Sequence, residues 1–98
     1  MNLFSEYQKK IFIFLKILEK KKLVKIPGTL KTFNIELPPQ NQKADISCNA
    51  AMVLSKFNDI SSEKLAQILK KHLLLNFREL KSIEVAGPGF LNITFDIS

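Results

Sequence analysis

Ser82-Ile83-Glu84-Val85-Ala86-Gly87-Pro88-Gly89-Phe90-Leu91-Asn92-Ile93-Thr94-Phe95-Asp96-Ile97-Ser98 is the stretch that decides the fold. Ile83 and Val85 alternate with Ser82 and Glu84, and beyond the turn Leu91, Ile93, Phe95 and Ile97 alternate with Asn92, Thr94, Asp96 and Ser98. Period-two alternation of this kind marks half-buried strands. Gly87-Pro88-Gly89 between them is a tight turn whose glycines are free to take positive φ. So short a connection makes the two strands an antiparallel hairpin with one apolar and one polar face.

Working back from the hairpin, Leu65, Ile68, Leu69 and Leu73 recur at helical spacing. Ser61 or Ser62 supplies an N-cap and Glu63 an acidic first turn, while Asn58-Asp59 closes the helix before it. That earlier helix is expected to begin near Asp45, read as its N-cap, with Ile46, Ala50, Val53, Leu54 and Phe57 as its buried stripe. Thr32-Phe33-Asn34-Ile35-Glu36-Leu37 alternates as a strand and stops at Pro38-Pro39, since proline donates no ladder hydrogen bond. Pro27-Gly28 is a turn. Residues 3–22 form an amphipathic helix with Leu3, Tyr7, Ile11, Leu15 and Leu18 on one stripe, flanked by Phe4 and Phe14. Lys9, Lys16 and Lys20 fall on the opposite side, where Ile13 and Ile17 also project. The predicted order is helix, strand, helix, helix, hairpin. This is an α+β domain of two layers, an antiparallel sheet of three to four strands with three helices packed on one face.

The 98 residues suffice for a single domain spanning 1–98. Eight lysines and two glutamates lie in residues 1–31, whereas basic and acidic groups balance over 32–98, so the whole net charge of +6 sits on the N-terminal third. Such asymmetry fits a surface facing phosphate or another polyanion, or a solvated face of a lysine-rich chain. A single cysteine excludes an intrachain disulfide and suits a reducing compartment, and Lys16 interrupts the N-terminal apolar run before it could serve as a secretory signal. A cytoplasmic chain without a membrane span is expected, a monomer by default. The chain ends on a strand with no tail, which predicts that it belongs to a longer protein.

Catalytic signatures are missing. Three glycines cannot write a phosphate-cradling loop. His72 is the sole histidine and has no partner spaced to share a metal. Cys48, placed one turn into the second helix, reads as a small buried hydrophobe. No catalytic or metal-binding residue is assigned.

Phe90 is the informative exception. Its even number puts it on the face of Asn92 and Thr94, away from the helices. There its ring can stack on an unpaired base while the Asn92 amide donates to and accepts from a base edge. Alternatively, Phe90 folds under the turn and caps one end of the core. The pattern leaves both open.

Two stretches together carry a resemblance. One is Leu37-Pro38-Pro39 followed by Ala44-Asp45-Ile46-Ser47-Cys48-Asn49-Ala50-Ala51-Met52; the other is Val85-Ala86-Gly87-Pro88-Gly89-Phe90-Leu91-Asn92-Ile93. In order and spacing the chain resembles the N-terminal additional domain of arginyl-tRNA synthetases. Ala44 stands where that family usually has glycine. The resemblance implies an α+β domain touching the D-loop side of arginine tRNA, with Phe90 and Asn92 reading an exposed base on the turn carrying Gly87 and Gly89. Lys9, Lys16 and Lys20 would meet phosphates. The catalytic and anticodon-binding domains of the same full-length chain would be its other partners. ATP and magnesium are expected in that catalytic domain and no cofactor in this one. An alternative is a protein-interaction module docking onto the synthetase body through Ile13 and Ile17. A membrane-surface helix is a further option, weakened because the apolar stripe is needed to cover the sheet.

Overall fold

The computed structural model describes residues 2–28, 30, 33–40 and 43–96. Helix α1 spans Leu3–Lys20, and its first free N–H groups are taken up by Asn2, whose Oδ1 accepts from Phe4 at 3.0 Å and Ser5 at 3.3 Å. Tyr7, Ile11, Leu15 and Leu18 are buried as the periodicity requires, with Phe14 beside them. Leu3, in the first turn, is exposed. The helix ends two residues earlier than expected, and Lys22 takes a positive φ of 63° just beyond it.

Next come β1 (Ile35–Glu36), β2 (Ile46–Cys48), α2 (Ala50–Ser55), α3 (Ser62–Asn76), β3 (Leu80–Ala86) and β4 (Phe90–Phe95). All strand pairs are antiparallel and the spatial order is β1-β2-β4-β3. Among the described residues the α+β architecture has three helices and a sheet of four strands.

Strand β2 is the main departure from expectation. Residues 46–48 are not the start of a helix. They fill the gap between β1 and β4, with Ile46 opposite Ile93, Ser47 opposite Asn92 and Cys48 opposite Leu91. All three are buried, so pairing on both sides outweighs the local helical pattern. Asp45 accordingly does not cap a helix. Its N–H donates to the Ile93 carbonyl at 2.8 Å, and its carboxylate accepts the Phe95 N–H at 2.8 Å, extending the β2–β4 ladder. Helix α2 begins only at Ala50 and stops at Ser55, leaving Phe57, expected in its stripe, 47% exposed. The strand expected over 32–37 is reduced to two residues; Thr32 lies outside the described residues, Phe33 is buried and Leu37 is exposed.

One sheet face carries the core. Ile83, Leu91, Ile93, Ile46 and Cys48 are buried there together with Leu54 of α2, Leu65, Leu69 and Leu73 of α3, and the stripe of α1. Tyr7 of α1 reaches Phe95 with ring centroids 4.7 Å apart, and Phe14 meets Phe77 edge-on at 5.3 Å. Ser61 caps α3, accepting from the Lys64 N–H at 3.2 Å.

Candidate functional site

The opposite face of the sheet holds the candidate site. Directly opposed residues of neighbouring strands share a face. Glu36 faces Ser47, Ser47 faces Asn92, and Asn92 faces Glu84. A polar row thus crosses all four strands on the side away from Leu91 and Ile93. A groove of about 530 Å³ lies over part of this row, within the ~300–1,000 Å³ usual for small-ligand sites. Ser47 and Asn92 line it, Leu37 and Pro39 supply one apolar flank, and Pro88 and Phe90 the other. Among the described residues Glu36 is the one ionisable group lining it.

The turn that carries Phe90 is fixed by its glycines. Gly87 has φ 55° and Gly89 φ 131°, both in the region that side chains with a Cβ rarely adopt. Gly89 is also pressed against the start of α3: a Cβ there would stand 2.9 Å from the Ser62 carbonyl oxygen. Ser62 Oγ donates to the Pro88 carbonyl, tying the turn to the same helix end. Gly89 is buried, so its place is structural, whereas Gly87 is exposed and contributes to the groove lining.

The residues singled out from the sequence separate into two groups. Phe90 and Asn92 come together in the groove: Phe90 is half-buried, and Asn92 is only 3% exposed, deeper than a surface platform would require. Lys9, Lys16 and Lys20 remain exposed on α1, and none of them lines the groove. Lys16 Nζ stands 3.9 Å from the Glu19 carboxylate and 5.5 Å from the Phe12 ring centroid. Ile13 is 62% and Ile17 44% exposed on the same helix.

Sequence reasoning missed Ser47, Glu36, Leu37 and Pro39 as groove residues. The apolar-polar-apolar triplet Ile46-Ser47-Cys48 alternates as a strand does, but three residues are too few to stand out against the helical pattern that follows.

Other chemistry is quiet. Cys48 belongs to β2 rather than a helix, and burial pushes its thiol up to about 12, partly opposed by a backbone hydrogen bond from Ala50. It is a packed, protonated side chain rather than a nucleophile. His72 is half-buried on α3. Among the described residues no group of three or more His, Cys, Asp or Glu could hold a metal ion, and no helix is long and apolar enough to cross a membrane. The Tyr7 hydroxyl donates to Glu79 Oε2 at 2.8 Å. Burial and then this bond raise the Tyr7 pKa, while a hydrogen bond from its own backbone N–H and then Tyr7 hold Glu79 below the usual carboxylate range.

The fold and its grooved face define a small α+β domain built on an open four-stranded antiparallel sheet. The family model for the arginyl tRNA synthetase N terminal domain matches residues 6–95, and the chain belongs to that family. Among similar proteins, the arginine–tRNA ligase of Pelagibacter ubique is 42% identical over 95 residues, covering 97% of this chain and 16% of the relative. That of Rickettsia felis is 35% identical over 94 residues, covering 96% and 15% respectively. The Sinorhizobium medicae ligase is 30% identical over 98 residues, covering 100% and 17%. The chain thus spans about one sixth of the length of the relatives it matches.

Proposed function

We propose that this domain binds arginine tRNA, holding an unpaired D-loop base in the groove so that the tRNA is oriented for arginylation by the rest of a longer ligase. The observation that carries the reading is the groove itself, with the Phe90 ring on its apolar flank and the Asn92 amide beneath. An aromatic ring offers a stacking surface worth about 1–3 kcal/mol per base, and an amide both donates to and accepts from a base edge. Lys9, Lys16 and Lys20 add attraction for phosphates without reading sequence. Catalysis, with ATP and magnesium, belongs to the remainder of such an enzyme in the cytoplasm. Binding energy made here, far from the reacting centre, raises the rate by positioning the acceptor end.

The test is tRNA binding by the 98-residue chain at low and physiological salt, with arginine tRNA and a D-loop base variant. Salt-sensitive binding that weakens with the variant and with Phe90→Ala is expected. Replacing Lys9, Lys16 and Lys20 together should flatten the salt slope while leaving base preference intact. Binding indifferent to Phe90→Ala and to the D-loop base removes the groove from the reading.

A second reading is favoured by one observation, the neighbouring exposure of Ile13 and Ile17 on α1. On it, the domain docks onto the synthetase body and adds little RNA affinity. It predicts salt-insensitive association with the catalytic domain that is lost in Ile13→Asp.

A further inference from the structure

Resting on the groove as a nucleobase slot, we infer that Glu36 is a further specificity-determining residue, accepting a hydrogen bond from an N–H donor on the edge of the docked base. The same carboxylate bars phosphate from the groove. Three observations lead there.

The first is register. Glu36, Ser47 and Asn92 stand in one row across β1, β2 and β4, and neighbouring strands lie about 4.8 Å apart. The row therefore extends about 10 Å, the scale of a purine and its exocyclic groups. The second is the gradient along it. Asn92 is 3% and Ser47 6% exposed, whereas Glu36 is open to solvent. A base lying along the row has its inner edge against neutral groups and its outer edge against a carboxylate.

The third is donor–acceptor chemistry. Ser47 and Asn92 can each donate or accept, but an ionised carboxylate only accepts. An exocyclic amino or ring imino group is the complement of Glu36, and hydrogen bonds to an ionised acceptor are the stronger kind. An edge lacking such a donor leaves Glu36 facing acceptor lone pairs or nothing. Among the described residues no lysine or arginine lines the groove, so a phosphate entering it meets like charge without compensation. Phosphate contacts fall instead to the exposed lysines of α1.

The experiment uses the 98-residue chain and a D-loop stem-loop RNA of arginine tRNA. Adenosine, or purine riboside lacking the exocyclic amino group, occupies the unpaired position whose replacement weakens binding most. The unaltered protein should bind the adenosine RNA about tenfold more tightly, the scale of one charge-assisted hydrogen bond. Glu36→Ala should bring the preference below about twofold. Glu36→Gln, which keeps an acceptor oxygen, should restore part of it. Phe90→Ala should weaken both RNAs alike. A tenfold preference that survives Glu36→Ala, with Phe90→Ala still damaging, overturns the role of Glu36 and leaves the base slot standing. Phe90→Ala without effect on either RNA overturns both. Inorganic phosphate should leave the backbone amide resonances of Ser47 and Asn92 unmoved; a saturable shift there overturns the exclusion of phosphate.

Discussion

Strand β4 serves two surfaces at once. Leu91 and Ile93 are fully buried beneath the helices, while Phe90 and Asn92, one residue out of step, line the groove on the other face. Alternation places core side chains and groove side chains on opposite faces of the same six residues. It follows that stability and the proposed recognition should be separable by mutation, with the turn at Gly87–Gly89 as the place where they join.

The largest effect should come from the core side. Ile93→Ala removes a fully buried side chain paired with Ile46 and Ile83, and should cost about 2–5 kcal/mol in chemical denaturation. If its RNA affinity, measured where the variant is still folded, falls as far as that of Phe90→Ala, the two faces are not independent. Gly89→Ala comes next. Its φ of 131° and the 2.9 Å approach to the Ser62 carbonyl oxygen predict a loss of about 1–3 kcal/mol, together with weakened RNA binding because the turn carries Phe90. A variant that loses stability alone would show that the groove tolerates movement of the turn.

Phe90→Ala is the mirror image: binding weakened by about 1–3 kcal/mol, with less stability lost than in Ile93→Ala. The smallest effect lies on the helix side. Tyr7→Phe deletes the hydrogen bond to Glu79 and should cost about 1 kcal/mol near neutral pH. Glu79 is held below its ordinary value of 4.5. Its contribution is therefore present above that pH and lost as the pH falls through the native pKa. Tyr7 is shifted upward from 10.0, so its contribution is present below that pH and disappears as the medium becomes more alkaline. Thermal melts of both proteins from pH 3 to 7 should show a shallower acid slope in Tyr7→Phe.

What could be read from the sequence follows the range of the interactions concerned. The hairpin, α1 and α3 are governed by local periodicity and by turn and cap residues, so their places were legible. Strand phase put Phe90 on the face of Asn92 but left a core-capping place open for it, and only the family resemblance favoured the two as a base-reading pair. Strand β2 was not legible in the same way, because Ile46–Cys48 become a strand only through partners more than ten residues away on one side and more than forty on the other. Asp45 failed as a cap for the same reason: its carboxylate goes to Phe95, fifty residues on. With β2 misplaced, Ser47 could not be put opposite Asn92, and Glu36 could not be joined to the same row.

Asn58, three residues past the end of α2, holds a distant loop. Its amide nitrogen donates to the carbonyls of Lys25 at 3.0 Å and Leu54 at 2.7 Å, and its Oδ1 accepts the Lys25 N–H at 2.6 Å. The side chain reproduces, for one residue, the two-way pairing of a sheet edge. A segment rich in lysine is thereby fastened to the body through its backbone and through the buried side chains of Val24 and Ile26, not through its charged groups. The charges that follow α1 can consequently be changed in number or sign without loosening the chain that bears them, so this part of the surface can be retuned electrostatically while its geometry stays the same.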